Sequence, residues 1–442
     1  MSDAALPPPV SMSHRVAWLI FAAAVSLAVV RAPQLLVEPR FWAEEGTLYY
    51  VVARREPVLD SLFHLPPRTA AYLALQVSAP ATFAAHVLPV ELAPFATTYS
   101  AFALVVIALA IVVFGRSTLW NDPIRKGLAC LVVLAAPSNL GEVWLTSTNA
   151  WVYCGVIAFC ILCEDLRRAS WTRIALYAVL LAVTGLSGVY TAFLSFAFAW
   201  KLWVERSRGA WVTAGVVALT SVRQVAAFLW MWARNVAPPT KLQALDWVRS
   251  AIFTFYSQVV TPLGLRPFVQ GLFDADGVVL SLQEGQRLPA IVGFAIASLL
   301  GLVGFVAAFV DRDPRSPRNG LVLAFASVAA LTTLSANFGR TTGRYAVLSG
   351  ICLLWLLLAH TVPRAGAHAR VRAVAAGALL AWALAVGVSG YRDDPAFTCP
   401  GGCPRWTEEV ARWRQDPTLA PQVWPRRLPP STPQWRVDLS VR

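Results

Sequence analysis

Residues 95–114 read FATTYSAFALVVIALAIVVF, a run of twenty residues without a charged side chain. At a rise of about 1.5 Å per residue, about twenty apolar residues cross the roughly 30 Å of hydrocarbon in a bilayer, so this run predicts a transmembrane helix. The whole chain has the same character: of its 442 residues 57% are hydrophobic and 14% are charged, and the mean hydropathy is +0.57. A soluble domain carries about 25% charged residues, so the composition excludes a water-soluble enzyme and a disordered chain and indicates a membrane protein.

Ten more apolar segments accompany this one, and together they predict an all-α polytopic membrane protein with about eleven transmembrane helices. The predicted segments are 16–33, 95–114, 126–143, 149–164, 174–186, 187–203, 210–233, 289–310, 320–336, 344–362 and 373–390. Residues 69–91 are apolar too, but Pro80 and Pro89 interrupt them, and another crossing would reverse the charge pattern of all later loops. We interpret 69–91 as a re-entrant or interfacial segment.

Basic residues in short loops orient a membrane protein, because Arg and Lys bias a loop toward the cytoplasm. Five loops carry three basic residues each: Arg116, Arg125, Lys126; Arg167, Arg168, Arg173; Lys201, Arg206, Arg208; Arg312, Arg315, Arg318; and Arg364, Arg370, Arg372. We therefore predict that these loops and the N-terminus are cytoplasmic and that the C-terminus is extracytoplasmic. The net charge of +13, from 37 basic and 24 acidic residues, is then mainly an orientation signal, and nucleic acid is not an expected partner.

The predicted topology divides the chain into a transmembrane domain, 1–390, and a small extracytoplasmic tail, 391–442. The domain has two large outer loops, 37–68 and 234–288. Lys occurs at only three positions, and this preference for Arg is typical of GC-rich bacterial genomes. We expect the protein in the cytoplasmic membrane of a bacterium, with membrane lipids around it.

Cysteines are expected to play two different roles. Five of the seven lie in predicted helices, where a thiol packs as a small hydrophobic group. Cys399 and Cys403 flank a Pro-Gly-Gly turn in the tail, where oxidising conditions permit a disulfide between them. A metal site would need more ligands than this pair, and the tail has no His.

The first outer loop carries two adjacent carboxylates, Glu44 and Glu45, among aromatic residues that include Trp42 and Tyr49. A carboxylate near an apolar surface can act as a proton acceptor, and aromatic rings offer stacking faces to a sugar or a lipid. The alternative is an interfacial amphipathic helix with solvated glutamates and ordinary belt aromatics. We rank Glu45 first as a base, because Gly46 leaves room beside it, and expect Glu44 to pair with Arg40 four residues earlier.

Three other regions supply candidate binding residues. Arg340 and Arg344, followed by Tyr345, can hold a phosphate with their guanidinium forks, or else reach lipid headgroups. Arg223, in the middle of a predicted helix, must face a cavity or a partner, because a charge at that depth costs about 3 kcal/mol. A polar and aromatic outer turn contains Asn139, Glu142, Trp144, Thr146, Thr148, Asn149 and Trp151.

The order of these motifs resembles that of the GT-C superfamily, polytopic glycosyltransferases that use polyprenyl-phosphate sugars. The resemblance covers about 16–390 and rests on Glu44-Glu45 in the first loop, the Pro-initiated turn from Pro137 to Asn149, and Arg344-Tyr345 at a late helix start. The stretch from Trp42 to Gly46 is similar to an uncharacterised bacterial branch in which the second acid is often Asp. The resemblance implies juxtamembrane helices in the first loop.

The resemblance also implies an inverting transfer of a sugar from the carrier to an envelope glycan, lipid or protein. A first-loop Glu would take the proton of the acceptor, and arginines would stabilise the leaving phosphate. No cofactor is expected; a divalent metal is an alternative to the arginines, since some relatives use one. The competing class is a transporter or flippase for a lipid-linked or anionic solute, which would use the same arginines without bond chemistry.

Overall fold

The computed structural model describes residues 12–66, 72–117, 119–137, 141–234, 254–265, 288–335, 343–362, 369–391, 405–425 and 435–440. Its helices are α1 (His14–Arg31), α2 (Pro33–Val37), α3 (Val51–Arg55), α4 (Val58–Leu62), α5 (Leu75–Val87), α6 (Ala93–Phe114), α7 (Pro123–Ala135), α8 (Trp151–Leu162), α9 (Trp171–Gly185), α10 (Tyr190–Phe193), α11 (Ser195–Glu205), α12 (Arg208–Ala233), α13 (Leu288–Phe309), α14 (Pro317–Ser335), α15 (Val347–His360), α16 (Ala369–Ser389) and α17 (Trp406–Gln415). Short π-helical turns lie at Glu45–Tyr50 and Tyr256–Val260, and 3-10 turns at Val90–Leu92, Gly141–Val143 and Gly343–Ala346. The described residues form isolated bridges but no β-strand, so this part of the chain is all-α as predicted.

Each of the eleven predicted segments contains a helix, although several helices are shorter than predicted. Within the described residues, four helices are long and apolar enough to cross a membrane: His14–Arg31, Val90–Phe114, Arg208–Ala233 and Ala369–Ser389. The segment predicted at 126–143 ends as a helix at Ala135, because Pro137 disfavours the helical conformation of the residue before it. Eleven crossings therefore remain a prediction.

The interior of the bundle is formed by α8 and α15, in which every residue is buried. Trp355 of α15 stacks on Phe159 of α8, with ring centroids 5.2 Å apart. In contrast, the outward side of α12 exposes large apolar residues such as Leu219 and Val222. A helix that buries one side in protein and exposes aliphatic side chains on the other is suited to hydrocarbon, which agrees with a membrane protein.

One end of the bundle gathers the loops that the sequence predicts to be cytoplasmic. The carboxylate of Glu164 accepts hydrogen bonds from the Arg116 N–H at 2.8 Å and the Tyr177 hydroxyl at 2.9 Å, and Lys201 donates to the Glu164 carbonyl. Lys126 donates to two carbonyls at the end of α6, where a cation is favourable. We call this the inner end, and the opposite end, from which α8 starts, the outer end.

The C-terminal tail packs on the first loop. The Trp424 N–H donates to the Phe41 carbonyl at 2.8 Å, and the Ala43 N–H donates to the Trp424 carbonyl. Trp406 of α17 places its ring edge-on to Phe41, with centroids 5.4 Å apart. The loop itself contains the π-helical turn, α3 and α4, so its polypeptide is helical where the resemblance implied juxtamembrane helices.

Some predictions fall outside the described residues. Cys399 and Cys403, the expected disulfide, lie there, as do Arg340 and most of the outer loop 234–288. The five cysteines that the structure describes are all free thiols. Segment 69–91 contains α5, whose 13 residues are too few to cross a bilayer unaided, so the re-entrant interpretation stays a prediction.

Candidate functional site

Glu45 joins the first loop to the turn that contains Ser147 and Thr148, just before α8. We call this turn the second outer turn. The side chain of Glu45 is 1% exposed. Oε1 accepts hydrogen bonds from the Ser147 N–H, from the Ser147 hydroxyl at 2.8 Å and from the Thr148 N–H at 3.2 Å, and Oε2 accepts one from the Trp42 N–H at 2.9 Å. Burial raises the pKa of Glu45 to about 7, although these donors lower it. Both oxygens are thus committed to the polypeptide, and Glu45 acts as a clamp.

The backbone on both sides of this clamp is unusual. Ala43 and Leu145 have φ values of +33° and +54°, which residues with a side chain rarely adopt. Such conformations persist only where the surroundings enforce them. Here the pairing with Trp424 holds Ala43, and the Glu45 contacts hold the turn that contains Leu145. The two segments are therefore rigidly placed relative to each other.

Glu44 has a different environment from its neighbour. It is half-buried and interacts electrostatically with Arg344. Burial raises the pKa of Tyr49 and of Tyr72, and the charge of Glu44 raises both further. A carboxylate, two phenols and a guanidinium from three separate stretches of chain thus lie within electrostatic range of one another at the outer end.

Arg344 is held by the second outer turn. Its Nη1 lies 3.4 Å from Asn149 Oδ1 and 3.7 Å from Glu142 Oε2, and the guanidinium lies 5.2 Å from the centroid of the Tyr345 ring. Asn149 is buried and donates to the Glu142 carbonyl at 2.6 Å, which orients the amide. A third of the Arg344 side chain stays exposed, so the guanidinium is open to an anionic ligand.

Aromatic rings pack beside the turn that carries Arg344. Trp151 lies 4.5 Å from Tyr190 and 5.7 Å from Tyr345, measured between ring centroids. The Tyr190 hydroxyl donates to the Tyr345 carbonyl at 3.0 Å and fixes the 3-10 turn that carries Arg344. Trp151 and Tyr190 are 5% and 1% exposed, so these rings support the turn that carries Arg344 from within the core and offer no open face to a ligand.

Three other predicted residues lie in places that the sequence did not indicate. Arg223 does not join the site: it is exposed on α12, because the buried side of that helix is formed by Thr220, Gln224 and Ala227 one helical turn apart. Trp42 is 4% exposed and belongs to the core, so its ring offers no open face to a ligand. Arg40 binds Glu409 at 3.1 Å in place of the expected Glu44.

Sequence reasoning missed Gln224, which is buried in the middle of α12. Its Oε1 accepts from the Leu73 N–H at 2.9 Å, and its Nε2 donates to the carbonyls of Leu73, Gly185 and Gly188 at 3.2, 2.9 and 3.2 Å. This amide therefore fixes the chain just before α5, next to Tyr72, on the turn between α9 and α10. A polar amide amid apolar residues was the available signal, because such a group in a membrane helix needs partners.

No three His, Cys, Asp or Glu side chains are grouped to hold a metal ion in the part of the chain that the structure describes.

Comparison with known proteins finds similarity among solved structures and nowhere else. No family model and no curated protein matches the chain. Among solved structures, the chain is similar to ArnT from Cupriavidus metallidurans, crystallised bound to undecaprenyl phosphate. The match covers 86% of this chain and 78% of ArnT at 14% identity and a TM-score of 0.35, which is too distant to assign a family.

Proposed function

We propose that the protein is a membrane glycosyltransferase of the GT-C type, which moves a sugar from a polyprenyl-phosphate carrier to an envelope or lipid-linked acceptor. The observation that carries the proposal is the position of Glu44 within electrostatic range of Arg344 at the outer end, with both side chains partly exposed. A base and a phosphate-binding cation are the two groups that this transfer needs. The undecaprenyl phosphate bound to ArnT is a carrier of the same class, but the proposal rests on the residues of this chain.

The proposed reaction uses these groups in one displacement. Glu44 takes the proton of the acceptor hydroxyl while its oxygen forms a bond to the anomeric carbon. The bond from that carbon to the phosphate oxygen breaks, and its electron pair leaves with the phosphate. Arg344 donates hydrogen bonds to the charge that develops there. Attack opposite the leaving phosphate inverts the anomeric centre.

The contacts favour Glu44 over Glu45 as the base, which reverses our ranking from the sequence. The pKa of Glu45, about 7, suits proton transfer, but its two oxygens are occupied and only 1% of the residue is exposed. A general base must come within hydrogen-bond reach of the acceptor hydroxyl, and half-buried Glu44 is the one that has access. Glu45 would position the loop that carries it.

We expect Glu44→Gln to lower turnover by about 10²–10⁴-fold while the thermal midpoint stays near that of the wild type. The measurement is sugar transfer by purified protein from a panel of polyprenyl-phosphate hexoses and pentoses, followed by mass spectrometry. Glu45→Gln serves as the matched variant and is assayed well below its own unfolding midpoint, where it should retain transfer. Loss in Glu45→Gln with retention in Glu44→Gln would restore the original ranking. Transfer by the double variant would contradict the mechanism, and transport without any product would support the transporter instead.

A further inference from the structure

Gln76 carries a buried acceptor that no described residue satisfies. The residue lies in the first turn of α5 and is 6% exposed. Its Nε2 approaches the Thr148 carbonyl at 3.5 Å, and this contact orients the amide. Within the described part of the chain, its Oε1 has no hydrogen-bond donor. Leaving such an atom unpaired destabilises the folded protein, so its retention calls for an explanation.

Thr148 provides a second unpaired group in the same place. Its N–H is bound to Glu45 and its carbonyl faces Gln76, but its buried hydroxyl has no partner among the described residues. The next residue, Asn149, contacts Arg344. The two residues with unpaired polar atoms therefore contact each other, and Thr148 is bound to Glu45 and precedes Asn149, the partner of the cation that we assign to the phosphate.

The hydrogen-bonding capacity of Gln76 Oε1 and of the Thr148 hydroxyl determines which ligand groups can bind there. An amide oxygen only accepts hydrogen bonds, so Gln76 Oε1 repels a phosphate or carboxylate oxygen and requires an O–H or N–H. A threonine hydroxyl can both donate and accept, which matches another hydroxyl. In the proposed reaction, the ligand group that carries hydroxyls beside the phosphate is the glycosyl group of the donor.

We propose that Gln76 and Thr148 form a subsite that binds a hydroxyl of the donor sugar and thereby helps to select which sugar is transferred. This inference rests on the proposed function and adds the recognition of the glycosyl group to it. A site built to pair a hydroxyl rejects ligands without it strongly, because its buried polar atoms then stay unpaired.

The test compares bare polyprenyl phosphate with a panel of the same lipid carrying different sugars. Binding to the full chain in nanodiscs, without an acceptor, is measured by the shift in thermal midpoint. In the wild type, at least one sugar-bearing lipid should bind more tightly than the bare lipid. Gln76→Leu and Thr148→Val should each reduce this preference by about 10–100-fold and leave binding of the bare lipid unchanged.

Thr82→Val is the matched control, because Thr82 lies on the same helix but its hydroxyl is already paired with Ser61 at 2.9 Å. It should lose stability and keep the preference for the sugar, whereas Thr148→Val should keep its stability. No preference in the wild type, or an unchanged preference in both variants, would overturn the subsite alone. An unchanged preference in both variants would mean that an ordered water pairs with these two atoms. If the KM of the acceptor in the transfer assay also rises in these variants, the hydroxyl that they bind belongs to the acceptor. Failure of both lipids to bind would count against the proposed function itself.

Discussion

The buried carboxylate of Glu45 makes the stability of the protein depend on pH. Below its ordinary pKa of 4.5, the group is protonated in the folded and the unfolded chain. Between 4.5 and about 7 the unfolded chain releases this proton and the folded chain keeps it, so the free energy of unfolding falls as the pH rises. Above about 7 both states are ionised and the contribution is constant. The total fall is about 3 kcal/mol.

We expect Glu45→Gln to remove this slope, because an amide does not ionise in that range. Its midpoint should nevertheless be lower than that of the wild type at pH 8, since the amide nitrogen would face the Trp42 N–H, a donor against a donor. Ser147→Ala is the directional control. Loss of a hydroxyl that lowers the pKa of Glu45 should raise that pKa and so extend the fall in stability to higher pH. The thermal midpoints of the wild type and of both variants are measured between pH 5 and 8. If the midpoint changes with pH in the same way in all three proteins, Glu45 is not the group that titrates.

The docking of α17 on the first loop depends on one enclosed ion pair. Arg40 and Glu409 are 3.1 Å apart, with 7% and 13% of their side chains exposed. Arg40 also donates to the Gln422 carbonyl at 2.7 Å, and Glu409 accepts from the Gln422 N–H at 2.7 Å. These bonds fix the chain just before Trp424, which pairs with the backbone leading to Glu44. The tail thus supports the loop that carries the proposed base.

Breaking this pair should be costly. We expect Glu409→Ala to reduce stability by about 3–5 kcal/mol, because it leaves a buried guanidinium without its counter-ion. The double variant Arg40→Met, Glu409→Ala should be more stable than the sum of the two single changes implies, by about 1–3 kcal/mol. The pair of Arg405 and Glu38 is the control: it joins the same two segments at 2.9 Å but is 66% and 48% exposed, so Glu38→Ala should cost less than about 1 kcal/mol. Equal losses in Glu409→Ala and Glu38→Ala would contradict a role of burial.

The arrangement of the whole molecule predicts where each end of the bundle lies. Loops rich in Arg and Lys meet around Glu164, while Glu44 and Arg344 lie beyond the other end of α8. We expect a phosphatase fused after Leu439 to be active outside the cytoplasm and a fusion at Arg168 to be inactive. The reverse pattern would place the candidate site in the cytoplasm, where a carrier sugar on the outer face does not reach it.

The membrane character and the helical segments were determined by the sequence alone, because hydropathy acts locally along the chain, while the outer position of the candidate residues is a prediction from loop charge. Only the tertiary structure decided which groups meet. The contacts of Glu45 with Ser147 and of Arg344 with Asn149 join residues that are 102 and 195 positions apart. Sequence spacing placed Glu44 beside Arg40, but the tail, 369 positions away, supplies Glu409 as the partner of that arginine. The direction of Arg223 also depended on packing: which side of α12 is buried is set by the elements that Gln224 binds.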